Sequence, residues 1–306
     1  MITDYVRLTS MDELHGSLGP DSVVVAGGTD LVPMYRAGEV SAARMLDLTS
    51  IPELARIGIC KHGLSLGATV TMDHLAARVK GPYAALADGA AVVGSKQTRN
   101  VATIGGNVCR ASPGGDTLAA VLACSGKIVI NSIRGSHEVP AEDFFLGPGR
   151  TRLEIDEVVT GIRFPDSVTS SAYARTTTRA CMDLATVGVA IALRVASSGS
   201  RNRVESLRIA ISGAATTPVL VPIREVELED IPLENLTNLL PLMRDKALDA
   251  VEPIDDVRAS AWYRRRMIGF LLDDVTRTAV GRALIPRESP KLFNSPCELM
   301  HRDLSV

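Results

Sequence analysis

The stretch SVVVAGGTDLV, Ser22 to Val32, runs three valines into two adjacent glycines and then into Thr29 and Asp30. A second glycine pair stands in TIGGN, Thr103 to Asn107. Glycine carries no Cβ, so each pair permits either a tight turn or an unusually close approach of another group to the backbone. Where the N–H groups of such a bend converge beside a helix N-terminus, the group that fits is a phosphate or pyrophosphate. The alternative is that both pairs are plain turn punctuation. Neither pair follows G-x-G-x-x-G or the Walker pattern, so the dinucleotide-fingerprint and P-loop readings fail on spacing. From the residues alone, the pairs are two candidate halves of a pyrophosphate cradle.

The surrounding pattern mixes short strands with short helices. YVRLTSMDELHGSLG reads as a strand and then a helix opening near Ser10, with Met11, Leu14 and Leu18 on one face and Gly19-Pro20 stopping it. Val23 to Val25 form a continuous apolar strand of the kind covered on both faces. TDLVPMYRAGE begins a helical turn capped by Thr29 or Asp30, and Met45 to Leu48 are a further buried strand. Residues 1–55 thus read as a small βαβ unit. In residues 56–169, two short strands about His62-Gly63 precede a helix from Thr71 or Asp73. Helices over 82–94 and 116–124 flank an irregular, glycine-rich segment, with Asp116 at an N-cap and Ser125-Gly126 ending the second helix before a strand from Lys127 to Ile133. After EVVTGIRFP, residues 170–285 hold two long strands, LATVGVAIALRVAS and RVESLRIAISGAA, joined at Gly199, and a helix over 255–284. Residues 286–306, with Pro286, Pro290 and Pro296, read as an extended tail.

Several function classes drop out on composition. A net charge of −2 and a pI near 6.2 speak against a nucleic-acid or membrane-surface binder. No apolar run approaches the roughly 18 residues of a membrane span, and the N-terminus lacks a signal-peptide pattern, so a cytoplasmic protein is expected. The five cysteines, Cys60, Cys109, Cys124, Cys181 and Cys297, contain no C-x-x-C pair. Such spacing builds neither a disulfide framework, a zinc site nor an iron–sulfur cluster, and predicts reduced thiols mostly in core positions. The histidines scatter, without a metal or triad pattern.

Four segments together carry a family resemblance: VVVAGGTDLVPMYR, TRNVATIGGNVCRASPGGDTLAAVLA, YARTTTRACMDLATVGVA and DDVRASAWYRRRM. In this order and spacing they resemble the FAD-binding medium subunit of the molybdenum hydroxylases, the family of carbon monoxide dehydrogenase and the bacterial xanthine dehydrogenases. The resemblance implies an α+β fold of the vanillyl-alcohol-oxidase (PCMH) type, in which two N-terminal subdomains grip FAD and a three-stranded antiparallel sheet with helices follows. It implies that main-chain N–H groups hold the FAD diphosphate along Val25, Ala26, Gly27, Gly28, Thr29 and Asp30, and along Thr103, Ile104, Gly105, Gly106 and Asn107. Asp116 would contact the flavin nucleotide, with Val93, Val159 and Arg175 at further contact positions. Gly27 and Gly28 would then lack side chains because pyrophosphate lies against the turn. Arg175 stands where xanthine dehydrogenases carry lysine, which keeps the charge and changes its geometry. Leu184 follows the aspartate of CMDLATVG, where carbon monoxide dehydrogenase flavoproteins usually place an aromatic residue over the isoalloxazine ring. It either borders the flavin or is a core leucine of the next strand.

The same resemblance implies two partners, a large molybdopterin-binding subunit and a small subunit with two [2Fe-2S] clusters, in a heterotrimer or a dimer of heterotrimers. Electrons would reach FAD from the clusters and pass to NAD, quinone or oxygen, with no acid–base residue and no metal ligand required of this chain. Two other classes compete: a self-sufficient flavin oxidase of the same fold, and a flavin-free scaffold subunit. The short C-terminal part leaves little room for the substrate cap of the first, and the intact glycine loops and Asp116 oppose the second. Arg264, Arg265 and Arg266 read either as a docking patch or as a solvated face balanced by Asp273 and Asp274.

Overall fold

The computed structural model describes residues 2–60, 62–198, 201–229 and 231–285; the expected tail over 286–306 and the hairpin residue Gly199 lie outside them. The first unit is β1 (Asp4–Arg7), α1 (Met11–Ser17), β2 (Ser22–Val25), α2 (Leu31–Arg36) and β3 (Arg44–Asp47). Its sheet is parallel, in the order β1-β3-β2. Helix α1 opens as the sequence predicts, with the Ser10 hydroxyl accepting from the Glu13 N–H, and it buries Leu14 against Leu8, Leu46 and Leu54. The apolar run of β2 misleads in one respect. The strand order places β3 at the centre and β2 at an edge, so only Val25 of β2 is buried.

The second unit is built from β4 (Ile57–Cys60), β5 (Gly63–Gly67), α3 (Met72–Arg78), α4 (Ala84–Ala91), α5 (Lys96–Val101), α6 (Ile104–Arg110), α7 (Leu118–Ala123), β6 (Lys127–Ser132), β7 (Gly135–Pro140), α8 (Ala141–Phe144), β8 (Phe145–Gly147), β9 (Arg150–Thr151) and β10 (Val158–Pro165). Its main sheet runs β4-β5-β10-β6-β7, every neighbouring pair antiparallel. The glycine-rich stretch that looks irregular in sequence holds two helices, α5 and α6. Each is defined by a hydroxyl at its N-cap: Ser95 accepts from Thr98 N–H at 3.1 Å, and Thr103 from Gly106 N–H at 3.2 Å. Neither segment has a full apolar period, and Gly105-Gly106 lowers its helix propensity, so capping and tertiary contact carry them. Helix α7 starts after Thr117, without a side-chain cap. Asp116 is therefore not the cap that its position predicts.

The third unit comprises β11 (Ser170–Thr176), β12 (Val187–Ser198), β13 (Arg201–Ser212), β14 (Val219–Val221), α9 (Leu240–Ala250) and α10 (Ala261–Leu284). The antiparallel sheet, β11-β12-β13-β14, gains the three-residue β14 beyond the three strands anticipated. Strand β12 starts at Val187, three residues after Leu184. Helix α10 starts at Ala261, where the Ser260 hydroxyl accepts from Tyr263 N–H; the residues from 255 to 260 form a turn closed by the Asp256 carboxylate on the N–H groups of Arg258 and Ala259. One face of α10 supplies Ile268, Leu272 and Val275 to a core shared with Val189, Ile191 and Ile209. Units two and three are joined by polar contacts. Ser171 Oγ accepts from Ala85 N–H, and Arg282 reaches back to both oxygens of Asp88. No helix among the described residues is long and apolar enough to cross a membrane.

Candidate functional site: a main-chain anion cradle

Strand β2 ends at Val25, and the chain then turns through Gly28, whose φ of 65° suits glycine, into α2. Among the described residues, none of the N–H groups of Ala26, Gly27, Gly28, Thr29, Asp30 and Leu31 has an acceptor. The carbonyls of the same turn are engaged, Gly28 O by Val32 N–H and Asp30 O by Met34 N–H, both at 3.0 Å. A consecutive run of N–H groups that the fold does not use is the backbone arrangement that binds an anion. Asp30, the one acid in the turn, has its charge opposed by Arg110 of α6, whose Nε lies 3.6 Å from Oδ1.

The second glycine pair does something different. Gly105 N–H donates to Ala68 O at 2.9 Å, Ile104 N–H to Val70 O at 2.9 Å, Gly106 N–H to the Thr103 hydroxyl, and Asn107 N–H to Thr103 O at 3.0 Å. These four N–H groups are engaged within the fold. Gly105 is glycine because a Cβ there would stand 2.7 Å from both Ala68 Cβ and Ala68 O. Gly27 has the same cause. Its Cβ would stand 2.0 Å from Val101 O and 2.9 Å from Ala102 Cα. At Gly27 the close approach inferred from sequence is made by the α5–α6 junction. The consequence is positional: the first turn is clamped directly onto the start of α6.

From that clamp a polar line runs into the third unit. Thr117 Oγ1 donates to Asn107 Oδ1 at 2.6 Å, and the neighbouring Asp116 is 4% exposed. Both oxygens of its carboxylate are engaged. Tyr173 OH donates to Oδ1 at 2.9 Å, and Arg175 Nη1 to Oδ2 at 2.7 Å. Burial pushes the Asp116 carboxyl up to about 6, although Arg175 and Tyr173 pull it down. Arg175 Nη1 also donates to Asp183 O at 3.0 Å. Asp183 in turn organises the loop between β11 and β12: Oδ2 accepts from the N–H groups of Thr178 and Arg179, and Oδ1 from Leu184 N–H. Those donors, Arg179 N–H foremost, hold the Asp183 carboxyl below its ordinary range.

The remaining sequence candidates divide. Leu184 sits in this loop, 43% exposed, which removes the core-leucine reading. Val93 is half-buried and its carbonyl accepts from Arg99 Nη1 at 3.1 Å. Val159 is 3% exposed, its side chain in the core of the second unit. Of the three consecutive arginines, Arg264 is buried and donates to Thr186 O, Gly213 O and Asp256, and Arg265 donates to Leu248 O and Val251 O near the end of α9. A docking patch of all three is thereby excluded, because two of them hold main-chain carbonyls of their own unit. Tyr173 is the residue that sequence reasoning missed. The available signal was its place two residues before Arg175, on the same face of a strand.

An N–H run left unpaired between a strand and a helix, in a mixed α+β chain, is the arrangement that phosphate-binding turns use. Residues 1–167 match the FAD binding domain in molybdopterin dehydrogenase, and residues 172–279 match the CO dehydrogenase flavoprotein C-terminal domain. The chain belongs to this family of FAD-binding medium subunits, with a PCMH-type FAD-binding domain, and its cofactor is FAD. It is 32% identical over 275 residues to the carbon monoxide dehydrogenase medium chain of Hydrogenophaga pseudoflava, covering 88% of this chain and 93% of that one. Against the xanthine dehydrogenase FAD-binding subunit of Escherichia coli O157:H7 the identity is 30% over 270 residues, with coverages of 86% and 90%. The solved structure of the Hydrogenophaga pseudoflava carbon monoxide dehydrogenase that lacks the Mo-pyranopterin moiety superposes with a TM-score of 0.80 at 29% identity, covering 92% of this chain and 98% of that one.

Proposed function

We propose that this chain is the electron-transfer flavoprotein of a molybdenum hydroxylase. It would receive electrons from the [2Fe-2S] clusters of a small partner subunit, while a large molybdopterin subunit oxidises the substrate. The observation that carries the proposal is the run of unengaged N–H groups from Ala26 to Leu31. A diphosphate supplies the matching acceptors, so this turn would hold the FAD diphosphate with main-chain donors and no cationic side chain. Bound FAD supplies the capacity to take up electrons and hand them on.

The chain's own residues bind and position. Gly27 seats the turn on the α5–α6 junction, and Arg110 opposes the Asp30 charge beside the site. Asp116, Tyr173 and Arg175 fix β11 against the start of α7, and through the Asp183 carbonyl they set the loop that presents Leu184 to solvent. Leu184, Val93 and Arg175 remain candidates for the flavin surround. No residue here is asked to move a proton. The C-terminal sheet packs its apolar face on α9 and α10, which supports the subunit reading over a self-sufficient oxidase with a substrate cap.

The test uses the chain alone and the assembled complex. The isolated chain should bind FAD stoichiometrically and oxidise no aldehyde, purine or N-heterocycle. In the complex, substrate should bleach the flavin absorbance, and NAD, quinone or oxygen should restore it. Substrate turnover by the rigorously isolated chain would overturn the proposal in favour of an oxidase, and failure to bind FAD would favour a scaffold.

A further inference from the structure

We propose that the N-terminal half of α10, with the turn before it, is the surface on which this chain docks an acidic face of another subunit, resting on the multi-subunit reading above. Trp262, Arg266 and Phe270 recur at four-residue spacing, which puts their side chains on one side of the helix. Trp262, the chain's single tryptophan, is 67% exposed, and Phe270 is 72% exposed. Ile254 and Val257, in the lead-in, are exposed as well. The opposite side of the helix is already anchored through Arg264, Ile268 and Leu272. Among the described residues, the stripe is left exposed.

The charges beside the stripe specify the occupant. Arg266 lies 5.7 Å from the Trp262 ring centroid, and Arg244 of α9 lies over Gly269, where a Cβ would stand 3.0 Å from its Nε. Neither arginine pairs with a carboxylate among the described residues. Together with Phe270 they line a groove of about 350 Å³. Asp273 also borders the groove, but Arg277 engages both of its oxygens at 3.0 Å. Tryptophan, phenylalanine and arginine are the residue types enriched at interface centres. Two guanidinium groups beside exposed aromatic surface call for carboxylates that pair with them, next to an apolar side chain that fills the groove. A subunit face with acidic residues around an apolar knob has that chemistry.

The complex is expressed whole, with this chain tagged, and the co-purifying subunits are quantified together with flavin content and unfolding midpoint. Two double variants are compared with wild type: Arg244→Glu with Arg266→Glu, and Trp262→Ala with Phe270→Ala. Both should retain FAD and the wild-type unfolding midpoint while at least tenfold less partner is recovered. Equal recovery from wild type and both variants overturns this inference and leaves the proposed function standing. If wild type recovers no partner at all, the premise falls and the inference falls with it. A wild-type chain that is dimeric alone, with monomeric variants, assigns the stripe to a second copy and overturns the proposal. A truncation after Ile285 that recovers tenfold more partner than wild type would assign the groove to the chain's own C-terminal segment and would overturn the proposal as well.

Discussion

Substituting Gly27 by alanine adds one methyl group where none fits. The new Cβ would stand 2.0 Å from Val101 O, 2.7 Å from Val101 C and 2.9 Å from Ala102 Cα, whereas ordinary contact begins at 3.4 Å. The obstacle is main chain, held by α5 on one side and the capped start of α6 on the other, so no rotamer change relieves it. Either the turn or the junction must move by more than about an ångström. Overpacking of this kind costs roughly 1–3 kcal/mol, and rigid neighbours place Gly27→Ala near the upper end. If the turn moves, the N–H run from Ala26 to Leu31 moves with it, and each loss of about 1.4 kcal/mol in binding raises the FAD Kd tenfold. We expect the apo-protein to lose about 2–3 kcal/mol in urea unfolding, and the FAD Kd, titrated by flavin fluorescence, to rise at least tenfold. Two controls calibrate the result. At Gly28 the φ of 65° costs alanine about 1–2 kcal/mol, but its nearest neighbour is the Val32 side chain, which can turn away. At Gly16, inside α1, nothing lies within 4 Å, so alanine should stabilise by roughly 0.5–1 kcal/mol. Wild-type stability and wild-type FAD affinity in Gly27→Ala would refute the clamp.

Asp116→Asn should change the pH dependence of apo-protein stability. The folded carboxyl titrates near 6, above its unfolded value of 3.8, so its contribution is full below about pH 4 and is lost as pH rises through 6. From pH 5 to 7 wild type should therefore lose about 1 kcal/mol that the asparagine variant keeps, and parallel stability curves would show that Asp116 does not titrate there. Arg264→Ala should cost about 3–5 kcal/mol, since it strands Thr186 O and Gly213 O and takes the cation from the Asp256 carboxylate, while Arg266→Ala should stay within about 0.5 kcal/mol; similar losses at the two positions would contradict the burial assignment. Asp183→Ala removes the acceptor of the Thr178, Arg179 and Leu184 N–H groups, so limited trypsinolysis after Arg179 should accelerate at neutral pH. Unchanged cleavage would mean that the loop holds its form without this carboxylate.

Local chemistry was legible wherever neighbours in sequence are neighbours in space. Helix α1 follows from Ser10, Met11, Leu14 and Leu18, because a cap and one apolar face lie within a few residues. The long strands β12 and β13 follow from their apolar runs, and the special geometry at the first glycine pair follows from the missing side chains. What the glycines accommodate was not legible. Gly27 faces Val101 and Gly105 faces Ala68, and only the packed chain brings those groups together. The division between free and engaged N–H groups is likewise tertiary: the two glycine pairs look alike in sequence, yet Gly105 donates to a carbonyl from another segment, whereas the N–H groups from Ala26 to Leu31 have no such acceptor. Asp116 illustrates the same limit. Its position before α7 predicts a cap, but strand β11 delivers Tyr173 and Arg175 to its carboxylate, and a buried charge takes the nearest cation and hydroxyl in preference to a helix end. Spacing along the chain determined which residues could turn, cap or alternate. Packing decided which backbone donors the fold itself uses and which it leaves unpaired, because a carbonyl distant in sequence reaches an N–H only once the chain has folded.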